Sequence, residues 1–574
     1  MEKTQDIPIL RQKPFYLDDE DIQWVKNTIE RMSNDEKIGQ LFCMVSYAGD
    51  SDDFLDKIID LHAGGIMCRK MPLSDAVSLI GKVQKKSAIP MLIAANLEAG
   101  ADGVIEEGVR LGSPMQVAAS DDPAMAQKLG TICAEEGGAL GVNWAFAPIV
   151  DIDYNFRNPI TNTRTFGSDP RRVMEMGKAY IAAVQKRGMA ACAKHFPGDG
   201  VDERDQHLVA SVNELGCEQW DSSYGQIYRS CIDAGVMSVM IGHIILPAYI
   251  RKFNPEIQDK DMLPASLSTE IITGLLRNTL GFNGLVVSDA TTMAGMNIAM
   301  PREQTVPACI AAGCDIFLFT KNTEEDFFFM KQGVERGIIG AERLNEAVLR
   351  ILGMKAALGL HKKQREGTLI KNLEEVQKGL VKPEHLSWAK ECADRGITLV
   401  KEEKGVLPLS VEKYRKVLFY PIESEEGYSY SVKVGAVQLF KKRLAAEGFD
   451  IEEFDPAQGS EGRLGASSGF TGKYDLIIYT ANMSTKSNQT SIRIEWAMPM
   501  GANVPVYITS IPTIFISLEN PYHLLDVPRI RTFINTYNSS DATLDALVEK
   551  LMGRSSFKGI NPIDPFCGKW DTRL

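Results

Sequence analysis

The sequence has no Cys-x-x-Cys pair, no basic excess, no short-period internal repeat, and no apolar run near the roughly 18 residues of a membrane-spanning helix. Each absence excludes a class of protein. The ten cysteines (43, 68, 133, 192, 217, 231, 309, 314, 392 and 567) are dispersed and mostly sit in apolar runs, which fits buried reduced thiols better than disulfides or a zinc site. A net charge of −12 argues against nucleic acid or an anionic membrane as the main partner, because both need a basic face. The start, Met1-Glu2-Lys3-Thr4-Gln5-Asp6, lacks the basic opening and apolar core of a secretory signal, so the expected compartment is the cytoplasm.

What is present is ordinary in bulk and specific in pattern. At 574 residues the chain exceeds one core, and two or three domains are expected. Short apolar runs predict strands at Ile38 to Val45, Gly65 to Cys68, Met91 to Ala95, Trp144 to Val150, Met189 to Phe196, Val236 to Ile244, Gly284 to Ser288 and Asp315 to Phe319. Between them lie amphipathic stretches such as Ala124 to Glu136, Arg171 to Lys186, Glu218 to Ala234 and Thr269 to Leu280. This α/β alternation predicts a (β/α)₈ TIM-type barrel, with a doubly wound open sheet as the competing architecture.

In a barrel, the residues just after each strand converge on one mouth. Here those positions are polar: Asn96-Leu97-Glu98, Asp151-Ile152-Asp153, Lys194-His195, Gly242-His243 and Ser288-Asp289. Any one of them serves as a helix cap or turn. Five together are hard to assign to capping alone.

Beyond residue 360 a Lys-, Glu- and Gly-rich stretch reads as a linker, and a second alternating unit follows. The expected division is a barrel over 1–360, a linker over 361–382 and a C-terminal three-layer α/β sandwich over 383–574. Its strands are expected at Ile397 to Val400, Val417 to Pro421, Leu476 to Thr480, Thr513 to Leu518 and Thr532 to Tyr537, with a Gly- and Ser-rich mobile loop over Gly459 to Lys473.

The densest chemistry is in Lys194-His195-Phe196-Pro197-Gly198-Asp199-Gly200, followed by Asp205-Gln206-His207. This stretch resembles the signature of family 3 glycoside hydrolases, in the branch that contains the β-N-acetylglucosaminidases. Other segments resemble the family in the right order: Met32-Ser33-x-x-Glu36-Lys37-Ile38-Gly39-Gln40-Leu41, Ala147-Pro148-Ile149-Val150-Asp151-Ile152, Asn158-Pro159 to Pro170, and Gly284-Leu285-Val286-Val287-Ser288-Asp289. So do Ala311-Ala312-Gly313-Cys314-Asp315 and the run from Ile397 to Leu409.

Cleaving a glycosidic bond with retention needs a carboxylate to trap the oxocarbenium-like centre and an acid to protonate the leaving oxygen. Asp289, at the end of an apolar strand, suits the nucleophile; its bland reading is an N-cap for the segment beginning at Ala290. The resemblance implies that His207 is the acid/base and Asp205 its orienting partner. A histidine can give and take a proton near neutral pH. Taken on spacing alone, Asp202 to Asp205 is equally a solvated charge run with a surface histidine.

The resemblance further implies that Lys194, His195 and Arg164 hold sugar hydroxyls. Lys194 could instead form a buried ion pair with Asp151. His243 is a further pocket-lining candidate, or a satisfied core histidine. Asn96 and Glu98 stand where the family's third strand carries its sugar-binding group.

The sequence departs from the family at that point. Asn96-Leu97-Glu98-Ala99-Gly100-Ala101 replaces the usual Asp-Gln-Glu-Gly-Gly-Arg, the Arg expected later falls on Val104, and Asp199 stands where His is common. Losing a charged acceptor at a buried contact costs about 1 to 3 kcal/mol, which bears on which sugar is held.

The expected activity is a retaining exo-β-glycosidase acting on a carbohydrate partner, a β-glycoside or cell-wall-derived amino sugar of the β-N-acetylglucosaminide type, with no cofactor or metal. Three alternatives stay open: a phosphorylase of the same family, a catalytically inactive sugar-binding barrel, and a metal-dependent hydrolase using His195, His207 and His243 with Asp289. Against the last, no His-x-His pair follows the first strand.

Overall fold

Ser33 and Glu36 decide where the first barrel strand begins. In the computed structural model, which describes residues 7–424, 435–455, 467–483, 485, 487–496, 498, 501 and 503–574, they form a reciprocal capping box. Helix Asn34–Gln40 therefore takes up Ile38 to Gln40, which the apolar pattern had assigned to strand, and β1 runs only over Phe42–Ser46.

The remaining barrel strands follow the expected order. They are β2 Gly65–Cys68, β3 Leu92–Ala95, β4 Trp144–Ala145, β5 Ala190–Phe196, β6 Ser238–Ile241, β7 Leu285–Ser288 and β8 Phe317–Leu318. Each pairs in parallel with its neighbour, and β1 pairs with β8. A parallel bridge between Val287 and Ile316 joins β7 to the approach of β8 and closes the ring. The open-sheet alternative fails on this closure.

Buried charge holds the end of the ring where the strands begin. Asp315, fully buried just before β8, accepts from Arg277 Nη2 at 2.7 Å and from Val286 N at 2.9 Å, and also pairs with Arg343. Arg277 and Arg343 come from segments outside the strands, so one carboxylate ties helices to the sheet.

The chain divides into two compact units that do not follow sequence order. One comprises 1–110, 126–152 and 170–385; the other comprises 111–125, 153–169 and 386–574. The division expected from composition was one along the chain, whereas this grouping is spatial. Two loop segments that precede and follow β4 in sequence thus fold with the second unit.

That second unit carries a six-stranded sheet in the order β9-β14-β13-β12-β10-β11. Its strands are β9 Thr398–Lys401, β10 Lys416–Glu423, β11 Asp450–Glu453, β12 Leu476–Asn482, β13 Thr513–Ser517 and β14 Thr532–Asn535. Only the β9–β14 pair is antiparallel. β11 lies at an edge and was not expected, because Asp450-Ile451-Glu452-Glu453 has no apolar run.

Alternation along β10 separates two cores. Val417 and Phe419 pack with helices Ala436–Ala446 and Asp541–Leu551, whereas Leu418 and Tyr420 pack with Ile494, Ile511, Leu524 and Ile530. The result is the expected three layers. Of the loop expected to be mobile over Gly459 to Lys473, residues 459–466 lie outside the described residues, and Ser467–Thr471 is a short helix.

Candidate active site

The carboxyl ends of β3, β4, β5 and β7 meet through one chain of charged contacts. β4 is short, but an Ile149–Lys194 bridge and the Val150 N to Lys194 O hydrogen bond (2.8 Å) extend its alignment with β5. Asp151 is thereby held beside the end of β5, and its carboxylate accepts three donors. His195 Nδ1 lies 2.7 Å from Oδ2, and the backbone N–H groups of His195 and Asp199 reach Oδ1 at 3.1 and 2.8 Å.

With Asp151 so occupied, Lys194 pairs elsewhere. Its Nζ is 2.8 Å from Glu98 Oε1 and 3.5 Å from Asn96 Oδ1, and the lysine is 2% exposed. The buried pair considered from the sequence, Lys194 with Asp151, is replaced by Lys194 with Glu98. Asn96 and Glu98 are thus joined to β5 through one ammonium group.

His195 turns its other nitrogen, Nε2, toward Asp289 Oδ2 at 3.8 Å, so one imidazole bridges the carboxylates of Asp151 and Asp289. Asp289 follows β7 directly, and its backbone N–H donates to Ile241 O of β6 at 2.8 Å, which fixes where the side chain can point. Oδ1 accepts from Ala290 N at 2.7 Å. Burial pushes this carboxyl up, but the imidazoles of His195, His243 and His207 and the Ala290 N–H outweigh it, and the pKa lies below the ordinary 3.8. An ionised carboxylate with 16% of its side chain exposed is available to an electrophile.

His207 stands on the loop after β5. Its Nδ1 is 2.7 Å from Asp205 Oδ1, and its backbone N–H donates to the same oxygen at 2.8 Å. Asp205 is wholly buried, while 23% of the His207 side chain is exposed. A carboxylate at Nδ1 fixes the proton there in the neutral ring and turns Nε2 outward, as a proton-transferring imidazole needs. The loop is tied to the segment after Asp289, since Ala294 N donates to His207 O at 3.2 Å.

His243 is fully buried, and both ring nitrogens are engaged, Nδ1 with Ser266 Oγ at 2.8 Å and Nε2 with Ala290 O at 3.1 Å. Burial lowers its pKa below 6.5. A carbonyl accepts only, so the neutral ring carries its proton on Nε2 and braces the turn that follows Asp289.

The structure therefore brings together Asn96, Glu98, Lys194, His195, Asp205, His207, His243 and Asp289. Arg164 belongs to the second unit, on a 3₁₀ turn over Asn162–Arg164, where its Nη1 donates to Ile160 O at 3.3 Å. Asp151 was legible as a polar strand end yet was not singled out for the site. Gln206 carried no signal at all. Among the described residues no group of three His, Cys, Asp or Glu side chains is arranged to hold a metal ion, and no helix is long and apolar enough to cross a membrane.

Comparison with known proteins gives the family. A "Beta-N-acetylglucosaminidase/beta-glucosidase" of Cellulomonas fimi is 51% identical over 562 residues, 98% of this chain and 99% of that protein. Among solved structures, "Beta-glucoside phosphorylase BglX bound to 2FGlc" has a TM-score of 0.92 at 43% identity, covering 98% of this chain and 99% of that one. A family 3 β-N-acetylglucosaminidase from Paenibacillus sp. str. FPU-7 shares the fold, with a TM-score of 0.76 at 24% identity over 94% of this chain and 100% of its own. Residues 33–354 match the model of the glycosyl hydrolase family 3 N-terminal domain, and the chain belongs to glycoside hydrolase family 3.

Proposed function

We propose that this chain is a retaining exo-β-glycosidase that works by double displacement. The observation that carries the reading is the Asp289 carboxylate, held ionised beside His195 and joined through its following segment to the loop of the Asp205–His207 pair. Asp289 attacks the anomeric carbon as the glycosidic C–O bond breaks, and His207 Nε2 gives its proton to the leaving oxygen. Neutral His207 then takes a proton from water, whose oxygen displaces Asp289 and releases the sugar with its configuration retained. Asp205 stabilises the imidazolium that enters the first step and is restored by the second.

Lys194, His195, Asn96 and Glu98 are the proposed holders of sugar hydroxyls. β-N-acetylglucosaminides and β-glucosides are the proposed substrates, supported by the double name of the Cellulomonas fimi relative. Asn96 and Val104 remove two groups that the family resemblance ties to the amino sugar, so the glucoside is expected to compete well. The proposed compartment is the cytoplasm, supported by ten free cysteines of which nine are buried.

A second reading, phosphorolysis, is favoured by two observations. One is the solved relative named as a phosphorylase. The other is the imidazole in place of a second carboxylate, since a neutral His207 would not repel an incoming phosphate. One experiment tests both: aryl β-glucoside and aryl β-N-acetylglucosaminide are turned over with and without inorganic phosphate, and the products are identified. Free sugar supports hydrolysis, a sugar 1-phosphate supports phosphorolysis, and no turnover of either substrate defeats both.

A further inference from the structure

The proposed mechanism leaves one departure in the Lys194 to Gly200 stretch without a task. Asp199 is 2% exposed, and its carboxylate accepts from Gly200 N at 2.7 Å, from Ser211 Oγ at 3.5 Å and from Gln206 Nε2 at 2.5 Å. Gln206 is equally buried and passes the contact on. Its Oε1 accepts the backbone N–H of His243 at 2.6 Å, and its backbone oxygen accepts from Gly295 N at 3.1 Å.

Gln206 stands in sequence between Asp205 and His207. The segments that follow β5, β6 and β7 therefore converge on this one residue. Two glycines make the approach possible. A Cβ at Gly242 would lie 2.9 Å from Gln206 Oε1, and one at Gly295 would lie 2.7 Å from Gln206 O.

Asp205 sets the tautomer and rotation of the His207 ring from within the same loop. Beside the Ala294 N to His207 O hydrogen bond, the contacts that fix the loop to the segments after β6 and β7 run through Gln206. We propose that Gln206, clamped by Asp199, is a positioning residue that holds the His207 acid/base loop in register with the Asp289 turn. The assignment rests on the reading of His207 as the acid. It touches no reacting atom, so its removal is felt as misplacement: a shift of about 1 Å in a proton donor costs on the order of 100-fold.

The test uses the full chain and a series of aryl and alkyl β-glycosides graded by leaving group. The readout is kcat/KM, which reports the steps up to departure of the leaving group, and thermal melting checks folding. His207→Ala serves as the reference and should lose about 10²- to 10⁴-fold on poor leaving groups while sparing the dinitrophenyl glycoside. Gln206→Met should lose about 10- to 100-fold on poor leaving groups and less than about 3-fold on the dinitrophenyl glycoside. Asp199→Ala should reproduce that split. Asp199→Asn, which keeps an acceptor for Gln206 Nε2, should recover at least about 10-fold over Asp199→Ala on the poor leaving groups.

Equal loss on both substrate kinds, or no loss on either, for Gln206→Met overturns the assignment. Should Gln206→Met fail to fold, the Asp199 pair decides alone: the split with rescue by Asn supports the clamp, and its absence overturns it. Where His207→Ala itself shows no split, the acid reading has failed. Where His207→Ala splits the series and the Gln206 and Asp199 variants do not, only the present inference falls.

Discussion

Two aspartates taken out of bulk water, Asp289 after β7 and Asp153 in the second unit, end up in opposite states. Burial pushes both carboxyls up. At Asp289 three imidazoles and a backbone N–H reverse the push, and the pKa falls below 3.8. At Asp153 the partners are Thr161 Oγ1 at 2.6 Å, Tyr522 OH at 2.5 Å and Asn162 N at 3.2 Å, all uncharged, and the pKa stays raised at about 6. At Asp153 every partner is an uncharged hydrogen-bond donor, whereas Asp289 is also faced by the imidazoles of His195, His243 and His207. A polar strand end is thus not diagnostic of a site; the groups that face it set its state.

Removing the carboxylate that faces the imidazoles should be felt most strongly. Asp289→Ala should lower turnover at least about 10⁴-fold while leaving the melting profile in place, measured as kcat on an aryl β-glycoside. Next comes His207→Ala, with about 10²- to 10⁴-fold loss on a natural-type leaving group and little on an activated one. Equal losses on the two would remove the acid role.

A third carboxylate, Asp315, faces full cations yet has no open side. Asp315→Ala leaves Arg277 and Arg343 without their shared partner and should destabilise the barrel by about 3 to 5 kcal/mol in urea unfolding. Charge neighbours therefore do not suffice either: Asp289 combines them with exposure.

The smallest effect concerns Asp153. Its folded-state pKa is raised above the unfolded value, so its contribution to stability is complete below pH 3.8 and is lost as pH rises through about 6. Asp153→Asn should remove that slope, gaining up to about 3 kcal/mol over wild type at pH 7 and nothing at pH 4. Denaturant midpoints across that window check it. Asp289 has the opposite sign: its contribution is present above the unfolded pKa and is lost as pH falls through the folded one.

Much of the barrel was legible because its strands are buried on both faces and read as apolar runs closed by turn residues, as at Gly65–Cys68. The misplaced start of the first strand, Ile38 to Gln40, had its correction in plain view: Ser33-x-x-Glu36 is a capping-box spacing, and it outweighed the apolar pattern. The fourth strand, expected to reach Val150, ends at Ala145. Asp450–Glu453 gave no signal because an edge strand need bury little.

In the site, residues carried by short motifs could be found, among them Lys194, His195, Asp205, His207 and Asp289. The contacts that give them their state could not. Glu98 with Lys194 spans 96 residues, and Asp151 with His195 spans 44, distances over which spacing carries no geometric information. The Gln206 clamp depends on two glycines, Gly242 and Gly295, whose need for close approach appears only once the strands are in place.

Double displacement requires Asp289 to be the covalent nucleophile, and one measurement addresses that role directly. The protein is incubated with an activated 2-deoxy-2-fluoro-β-glucoside, digested, and its peptides are weighed and fragmented. A fluoroglucosyl adduct on Asp289, absent from the Asp289→Ala variant, is the predicted result; an adduct on another carboxylate, or inactivation with no sugar on this strand end, would contradict it.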